Sequence, residues 1–245
     1  ALDLQQLYLG HDRGGLLSKA PIGAMSFGRR FCMVLSLRGW TARRFYAMLR
    51  KTDAEDDAMR LALIDIDNTL LDFDEYVRHT MRAGFAHFGL RPYEPFMYDV
   101  FERENNELWR ALERGELTFP ELKRVRWNRI FAALGIEFDG STFEEYFRAA
   151  LHESAIAVDG ARDMLSALSE RMPLYAASNG PFEQQMHRLE IADMAKYFTD
   201  FFISERIGAS KPSRAFFDYA FDAINAGREA PVQPHEAVII GDSLT

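Results

Sequence analysis

Two aspartates one residue apart, Asp65 and Asp67, directly follow the apolar run 61–64. Such a run predicts a buried strand, and a chain leaving the sheet there can turn both carboxylates into one crevice. Two neighbouring acids repel each other unless a cation or a shared proton neutralises them. The pair therefore predicts a Mg²⁺ site in which one carboxylate attacks and the other transfers a proton. A turn with two solvated acids is the alternative that this short motif leaves open.

Two later apolar runs also end in polar residues. Ser178 and Asn179 follow the first run, and their hydroxyl and amide groups are suitable for binding phosphate oxygens. Asp242 follows the second run after Gly241, which gives a third acid at a strand end. Each signal alone is weak, because Ser-Asn-Gly and Gly-Asp are ordinary turn sequences. Their order and spacing behind Asp65 make the set specific.

A lysine stands between these two runs, directly before a proline. Pro212 suits a first helical position, so we expect Lys211 at a helix entrance, where an anion would be held. A solvated surface charge is the ordinary alternative for one lysine. Together with the acids, Lys211 predicts a site for phosphoryl transfer.

In this order the segments resemble the four motifs of the haloacid dehalogenase-like (HAD) hydrolase superfamily. Asp65-x-Asp67-x-Thr69 is similar to the first motif, and the resemblance extends roughly from Arg60 to Thr245. It implies that Asp65 is the nucleophile and forms an aspartyl-phosphate. It also implies that Asp67 protonates the leaving group and later activates water. Family members that dehalogenate haloacids lack an aspartate at the second position, so Asp67 favours a phosphatase or phosphomutase.

The same resemblance assigns the remaining site residues. It implies Mg²⁺ held by the Asp65 carboxylate, the Asp67 main-chain carbonyl and Asp242. It implies phosphoryl binding by Thr69, Ser178, Asn179 and Lys211, with Lys211 also counted as catalytic because it neutralises the transferred group.

Strand and helix patterns alternate along the chain, which predicts an α/β fold with a Rossmann-like, doubly wound parallel sheet. Residues 59–73 and 158–245 are expected to form this HAD-like core. The pattern of residues 74–157 indicates four amphipathic helices. It predicts that they form an inserted four-helix-bundle cap over the site. In this segment Pro95 is expected to open the second helix, and Ser141 or Thr142 to cap the fourth.

The cap decides the substrate in this interpretation. Most of its aromatic residues are expected in the helical core, and four residues are candidates for contact with a nucleobase: Trp109, Arg110, Arg126 and Trp127. The sequences of the motifs and of the cap resemble those of the YjjG/YfnB type of pyrimidine 5′-nucleotidase, notably Asp-Asn-Thr-Leu-Leu-Asp-Phe-Asp at 67–74. That resemblance implies a small phosphorylated metabolite, a nucleoside monophosphate, as substrate.

Other functions stay open on the sequence. Phosphoglycolate phosphatases, sugar phosphatases and phosphomutases share the four motifs. A catalytically silent fragment that binds a phosphate ligand or a partner without turnover is the alternative from a different class. The five intact residues Asp65, Asp67, Ser178, Lys211 and Asp242 favour the enzyme.

Composition restricts partners and compartment. The chain has 245 residues, a net charge of −8 and one cysteine, Cys32. The acidic charge argues against nucleic-acid polymers, and no apolar run approaches the ~20 residues of a membrane helix. One cysteine cannot form an internal disulfide, so we expect a cytoplasmic protein. Monomer and homodimer are both open.

Both ends of the chain differ from the family pattern. Residues 1–58 are basic and rich in glycine, and we expect them to be an extension outside the fold, with Met59 as the natural start. The chain stops at Thr245, before a further acid, strand and helix that the family would place there. We therefore expect a C-terminally truncated core with a weakened metal site.

Overall fold

A computed structural model of the chain describes residues 59–242 in full and residues 22–27 and 30–36 as backbone strands. Its strands are β1 (Ile22–Phe27), β2 (Arg30–Ser36), β3 (Leu61–Ile64), β4 (Leu174–Ser178), β5 (Phe198–Ile203) and β6 (Ala237–Gly241). Its α-helices are α1 (Phe73–His87), α2 (Phe96–Glu113), α3 (Phe119–Leu134), α4 (Gly140–His152), α5 (Ala161–Ser169), α6 (Phe182–Ile191), α7 (Ser204–Ile207) and α8 (Arg214–Asn225).

The strands form one sheet in the order β1-β2-β6-β3-β4-β5. β3 lies between β6 and β4 and is parallel to both, and β5 continues the parallel pairing beyond β4. Ile64 is level with Ile240 on one side and with Ala176 on the other. The predicted α/β fold with a parallel, doubly wound sheet is confirmed, and the register brings the ends of β3, β4 and β6 to one edge.

The N-terminal segment differs from our expectation. β2 pairs parallel with β6 along 33–36 and 238–241, and β1 pairs antiparallel with β2. Two strands of the segment 1–58 are therefore part of the sheet, although we expected the segment outside the fold. The physical reason is that the free backbone groups of an edge strand are a template for any extended segment. The other residues of 1–58 lie outside the described part of the chain.

Helices cover both faces of the sheet. Leu61 and Leu63 pack with α8, while Ala62 and Ile64 face the opposite side and pack with α5. This alternation follows from the two-residue period of a strand. β3, β4 and β6 are buried at every position, as expected for central parallel strands that have helices on both sides.

Helices α1–α4 have an apolar core of their own. Most aromatic residues of this part of the chain lie in that core, as predicted. Thr118 begins α3 with a capping box, and Gly135 ends it with a left-handed conformation. Pro95 precedes α2, as predicted. The cap of α4 is Asp139, not Ser141 or Thr142, because the Asp139 carboxylate accepts both of their backbone N–H groups.

Gly140 shows how closely α4 approaches α3. A Cβ atom at this position would overlap the backbone nitrogen of Asn128. The Asn128 side chain accepts the Gly140 N–H at 3.0 Å. A larger residue at 140 would therefore separate the two helices.

Two short segments connect the helices α1–α4 to the sheet, and they pair with each other. Leu71 bridges Ala157, the Asp72 N–H donates to the Ile156 carbonyl, and the Val158 N–H donates to the Leu70 carbonyl. The division into a core of 59–73 and 158–245 and a cap of 74–157 stays a prediction. Within the described residues, no helix combines the length and apolar character needed to cross a bilayer.

Candidate active site

Three strand ends and the loop before α8 converge on one cavity of about 300 Å³. Asp65 and Asp67 follow β3, Asn179 follows Ser178 at the end of β4, and Asp242 follows β6. All five residues line the cavity, and so does Lys211. The sequence-based grouping of these six residues therefore corresponds to one place in the structure, at the carboxyl edge of the sheet, where ligands of such sheets bind.

Lys211 is directed at Asp65. Its Nζ lies 2.7 Å from Asp65 Oδ1 and also donates to the Ala177 carbonyl at 2.7 Å. Asp65 Oδ1 accepts the Ile66 N–H as well, at 2.8 Å. The two side chains are about four-fifths buried, so solvent screens their attraction only weakly.

Asn179 holds the backbone of Lys211. Its Nδ2 donates to the Lys211 carbonyl at 2.9 Å, and its Oδ1 accepts the Lys211 N–H at 2.8 Å. Both ends of the amide are thus used to join the loop after β4 to the loop before α8. The contact positions the backbone of the lysine, and the role of Asn179 in phosphate binding stays a prediction.

Pro212 is not at the first helical position that we expected. α8 begins at Arg214, and Ser213 caps it by accepting the Phe216 N–H. A serine side chain can accept that bond and a proline cannot, so the helix starts two residues later. Lys211 consequently belongs to the loop, where Asn179 and Asp65 hold it.

Asp67 is held by two residues that the sequence analysis missed. Arg188 Nη1 lies 2.7 Å from Asp67 Oδ1, and Gln185 Nε2 donates to Asp67 Oδ2 at 2.8 Å. The Arg188 side chain is 1% exposed. Gln185 also donates to the Ser178 hydroxyl and accepts from Arg188, so one network joins the ends of β3 and β4 through α6.

The buried Ser178 hydroxyl lies in that network. Ser178 is 1% exposed, and it lines the cavity next to Gln185. Its oxygen accepts from the glutamine amide, which leaves the hydroxyl proton free to be aimed at an acceptor. Thr69 differs from our prediction, because it is 1% exposed and is not among the residues that line the cavity. Its Oγ1 makes no hydrogen bond to any residue that the structure describes.

Asn68 shapes the loop between the two acids and α1. It adopts a left-handed conformation with φ of 57°, which asparagine tolerates better than most residues. Its side chain donates to Asp74 Oδ1 at 2.8 Å and accepts the Asp74 N–H at 3.1 Å. The first turn of α1 is thereby fixed to the loop that carries Asp67.

The helices α1–α4 supply the other wall of the cavity. Its aromatic members are Phe73, Trp109 and Phe119, and the rings of Trp109 and Phe119 lie 5.8 Å apart. Of the four predicted contact residues, Trp109 and Arg126 line the cavity. Trp127 is fully buried in the helical core, and Arg110 is not a lining residue.

Arg126 reaches the cavity from a buried ion pair. Two of its nitrogens donate to the Glu144 carboxylate, at 2.6 and 3.0 Å, and a third donates to Asn105. Glu144 and Asn105 are also buried. Because its charge is already paired, Arg126 fixes α3 to α2 and α4 at the cavity wall.

Glu113 is an acid on the same wall, at the last residue of α2. Partial burial raises the pKa of its carboxyl group although the residue keeps solvent access, and the positive charges of Arg110 and Lys211 oppose that rise. An acid at the negative end of a helix dipole is unfavourable, so its position at the end of a predicted helix was the signal that could have identified it. For Gln185 and Arg188 the signal was their three-residue spacing, which places two polar side chains on one face of a helix.

A hard divalent cation fits the acids at the strand ends. Asp65, Asp67 and Asp242 offer oxygen donors around one cavity, which is the donor set that Mg²⁺ prefers. Lys211 and Arg188 provide positive charge nearby. Lys211 contacts one carboxylate oxygen, Oδ1 of Asp65, and Arg188 contacts one, Oδ1 of Asp67. The net charge of these five side chains is −1, so the site retains capacity for a cation.

Comparison with known proteins gives a consistent group of relatives. The family description "haloacid dehalogenase-like hydrolase" matches residues 59–245. YfnB of Bacillus subtilis (strain 168), described as a HAD-hydrolase, is 33% identical over 186 residues, which are 76% of this chain and 77% of YfnB. The pyrimidine 5′-nucleotidase PynA of Streptococcus pneumoniae is 32% identical over 187 residues, 76% of each protein. The pyrimidine 5′-nucleotidase YjjG of Escherichia coli (strain K12) is 27% identical over 64% of this chain and 68% of YjjG.

Solved structures resemble the chain in the same way. The crystal structure of B. subtilis YfnB bound to magnesium, which reveals interdomain movement, has a TM-score of 0.69 and 33% identity, covering 77% of this chain and 82% of that one. The defluorinating L-2-haloacid dehalogenase Rha0230 has a TM-score of 0.60 over 74% of this chain and 72% of that one, at 16% identity, and shows the shared fold alone.

Proposed function

The chain belongs to the haloacid dehalogenase-like hydrolases, and we propose that it is a Mg²⁺-dependent phosphomonoesterase acting on nucleoside monophosphates, pyrimidine nucleotides in particular. The observation that carries this proposal is the meeting of Asp65, Asp67 and Asp242 with Lys211 around one cavity. The nucleotidases PynA and YjjG among its relatives support the substrate class.

In the proposed reaction Asp65 is the nucleophile. A carboxylate oxygen of Asp65 bonds to phosphorus, the ester P–O bond breaks, and the chain carries an aspartyl-phosphate. Water then attacks the phosphorus, the bond to Asp65 breaks, and phosphate leaves. The contact of Lys211 with Asp65 Oδ1 orients the carboxylate and brings positive charge to the transferred group.

Asp67 is the proposed acid and base. Its carboxyl group gives a proton to the leaving alkoxide in the first step and removes one from the attacking water in the second. We assign the mobile proton to Oδ2, because Oδ1 faces the guanidinium of Arg188 whereas Oδ2 faces the neutral amide of Gln185. Arg188 and Gln185 are positioning residues that hold this carboxylate towards the cavity.

The Asp65 carboxylate, the Asp67 main-chain carbonyl and Asp242 would hold Mg²⁺. When bound, the ion neutralises negative charge on the phosphoryl oxygens. The Ser178 hydroxyl is the proposed donor to a phosphoryl oxygen, since Gln185 occupies its acceptor side.

The proposed nucleoside site is the aromatic wall. Trp109, Phe119 and Phe73 offer flat apolar faces in the cavity that the acids also line, and a nucleobase can stack on such faces. Glu113 provides a hydrogen-bond acceptor on the same wall. A cavity of about 300 Å³ is at the lower end of the usual range for small-molecule sites.

The test is phosphate release from a panel of nucleoside monophosphates, sugar phosphates and phosphoglycolate, each with Mg²⁺ and with EDTA. We expect Mg²⁺-dependent release with the highest kcat/KM for pyrimidine monophosphates. A preference for phosphoglycolate or a sugar phosphate would support the proposed reaction but reject nucleoside monophosphates as its substrates. No release from any substrate by folded protein would reject the phosphatase and favour a silent phosphate binder or a fragment.

A further inference from the structure

Two histidines and a glutamate meet on the surface where α4 ends, and none of the three lines the cavity that contains the strand-end acids. His152 is the last residue of α4, Glu153 follows it, and His187 lies on α6. The imidazole rings of the two histidines are stacked, with centroids 4.2 Å apart and planes 11° from parallel. One ligand atom from each of the three residues lies within 4.8 Å of the others.

The distances suit a small ion between the three side chains. Glu153 Oε1 lies 3.4 Å from His187 Nε2 and 3.9 Å from His152 Nε2. Tetrahedral coordination with bonds near 2.0–2.1 Å places ligand atoms about 3.3 Å apart. The first pair is already at that spacing. A metal lies in the plane of each imidazole that binds it, so one of the two stacked rings must rotate before both nitrogens can face one ion. The side chains of His152 and Glu153 are 46% and 70% exposed, so they are free to make this movement and close the remaining gap.

His187 supplies an independent observation. Its Nε2 is buried, yet it makes no hydrogen bond to any residue in the described part of the chain. A buried nitrogen without a partner costs free energy unless another ligand satisfies it. The atom lies 3.4 Å from Glu153 Oε1, so it is next to another of the three candidate ligand atoms without forming a hydrogen bond to it.

We propose that His152, Glu153 and His187 form a second metal site, for a borderline transition-metal ion such as Zn²⁺. Imidazole nitrogens select such ions over Mg²⁺, which prefers oxygen donors. Two histidines and one carboxylate form a common three-ligand zinc set, and water completes the coordination. The site is thus chemically distinct from the acids around the cavity.

Its position gives the site a structural consequence. His152 and Glu153 lie at the start of the segment that returns the chain from α4 to the sheet, whereas His187 belongs to α6. Arg188, the next residue, donates to the Ser154 carbonyl at 3.3 Å and also holds Asp67. A bound ion would therefore fasten the return segment to α6, next to a residue that positions the proposed acid and base.

The test is direct Zn²⁺ binding, measured by competition with a chromophoric chelator in excess Mg²⁺, which occupies the oxygen site. We expect one Zn²⁺ per chain and a higher Tm in its presence, because a ligand that binds only the folded state stabilises it. His152→Gln and His187→Gln should each weaken binding by more than roughly tenfold, since even residues that merely orient a ligand contribute that much. His235→Gln, at an exposed histidine, is the matched control and should bind as the parent protein does.

Equal Zn²⁺ affinity in the parent, His152→Gln and His187→Gln proteins would overturn the proposal, as would the absence of binding in excess Mg²⁺. The His152 side chain is about half exposed, so its variant keeps the test valid if His187→Gln fails to fold. Binding is measured without turnover. The proposal can therefore fail while the phosphatase assignment holds, and the reverse is also true.

Discussion

The buried guanidinium of Arg188 lies 2.7 Å from Oδ1 of Asp67. The arginine side chain is 1% exposed and the aspartate side chain 33% exposed, so the cation lies under the acid and the acid faces the cavity. The pair connects the end of β3 to α6. It fixes the direction of the carboxylate that our mechanism uses as acid and base.

Arg188→Met should lower kcat on the order of a hundredfold, at the low end of what general acid–base catalysis contributes. The carboxylate of Asp67 would lose the contact that orients it. Arg188→Lys keeps a positive charge and should recover part of the rate. Arg214→Met removes a mostly exposed arginine that pairs with Asp218, and it should change nothing.

The measurement for Arg188 is steady-state phosphate release, with Tm recorded for each variant. If folded Arg188→Met had the same kcat as the parent, Arg188 would not be a positioning residue for Asp67. A lysine variant no better than the methionine variant would indicate a packing role only.

Asn179 and Lys211 should act as one unit. Asn179→Ala should lower kcat because the lysine backbone loses two hydrogen bonds, and Lys211→Met should lower it more because the cation is gone. The double variant should be no slower than Lys211→Met alone, since the amide acts through the lysine. Lys196→Met, at an exposed lysine paired with Asp193, is the control. If the two fold-losses in kcat multiplied in the double variant, Asn179 would instead bind the phosphate independently of Lys211.

Trp109→Ala should raise KM for nucleoside monophosphates roughly tenfold, since stacking of a base on an aromatic ring contributes about 1–3 kcal/mol. KM for small phosphate esters without a base should stay the same. Phe96→Ala removes an aromatic ring that is 46% exposed and not part of the cavity, and it should have no effect on either. An equal rise for both classes of substrate would contradict the proposed nucleobase contact.

Glu113→Gln should raise Tm only slightly at neutral pH, because the residue is exposed enough for solvent to screen its charge. Burial raises the pKa of the Glu113 carboxyl group, so the folded state holds this proton more tightly than the unfolded chain does. Stability from this group is therefore present below the unfolded pKa of about 4.3 and is lost as pH rises through the folded value. Above that window the charged group costs stability, which the glutamine avoids.

The measurement for Glu113 is Tm as a function of pH for the parent, Glu113→Gln and Glu190→Gln, the last at a glutamate that does not line the cavity. The advantage of Glu113→Gln should shrink as pH falls below the ordinary glutamate range, and Glu190→Gln should show none. A Glu113→Gln protein less stable than the parent at neutral pH would mean that the charge is favourable where it lies.

The sheet and the acids at its edge were predictable because each apolar run ends in a polar residue, and parallel strands end at one edge. Asp65, Asn179 and Asp242 needed no more than that pattern. Helix ends were predictable where capping residues mark them, as at Thr118 and Gly135. The metal and phosphate roles of these residues stay predictions.

Contacts between distant segments were not predictable from local patterns. Arg188 is a polar residue on a helix until folding places it beneath Asp67, 121 positions earlier in the chain. Trp109 and Trp127 have the same residue type and belong to neighbouring helices. Only packing decides that the first faces the cavity and the second is fully buried. The pairing of β2 with β6 is likewise long-range, and composition alone suggested the opposite.

The central claim is that Asp65 is the nucleophile, and the most direct test compares the parent protein with Asp65→Asn in Mg²⁺-dependent phosphate release from a pyrimidine monophosphate. Asparagine keeps the shape of the side chain but lacks the charge needed to attack phosphorus. We predict a loss on the order of 10⁴-fold or more with a nearly unchanged Tm, as for other enzymes without their nucleophile. Substantial phosphate release by folded Asp65→Asn protein would contradict the covalent mechanism.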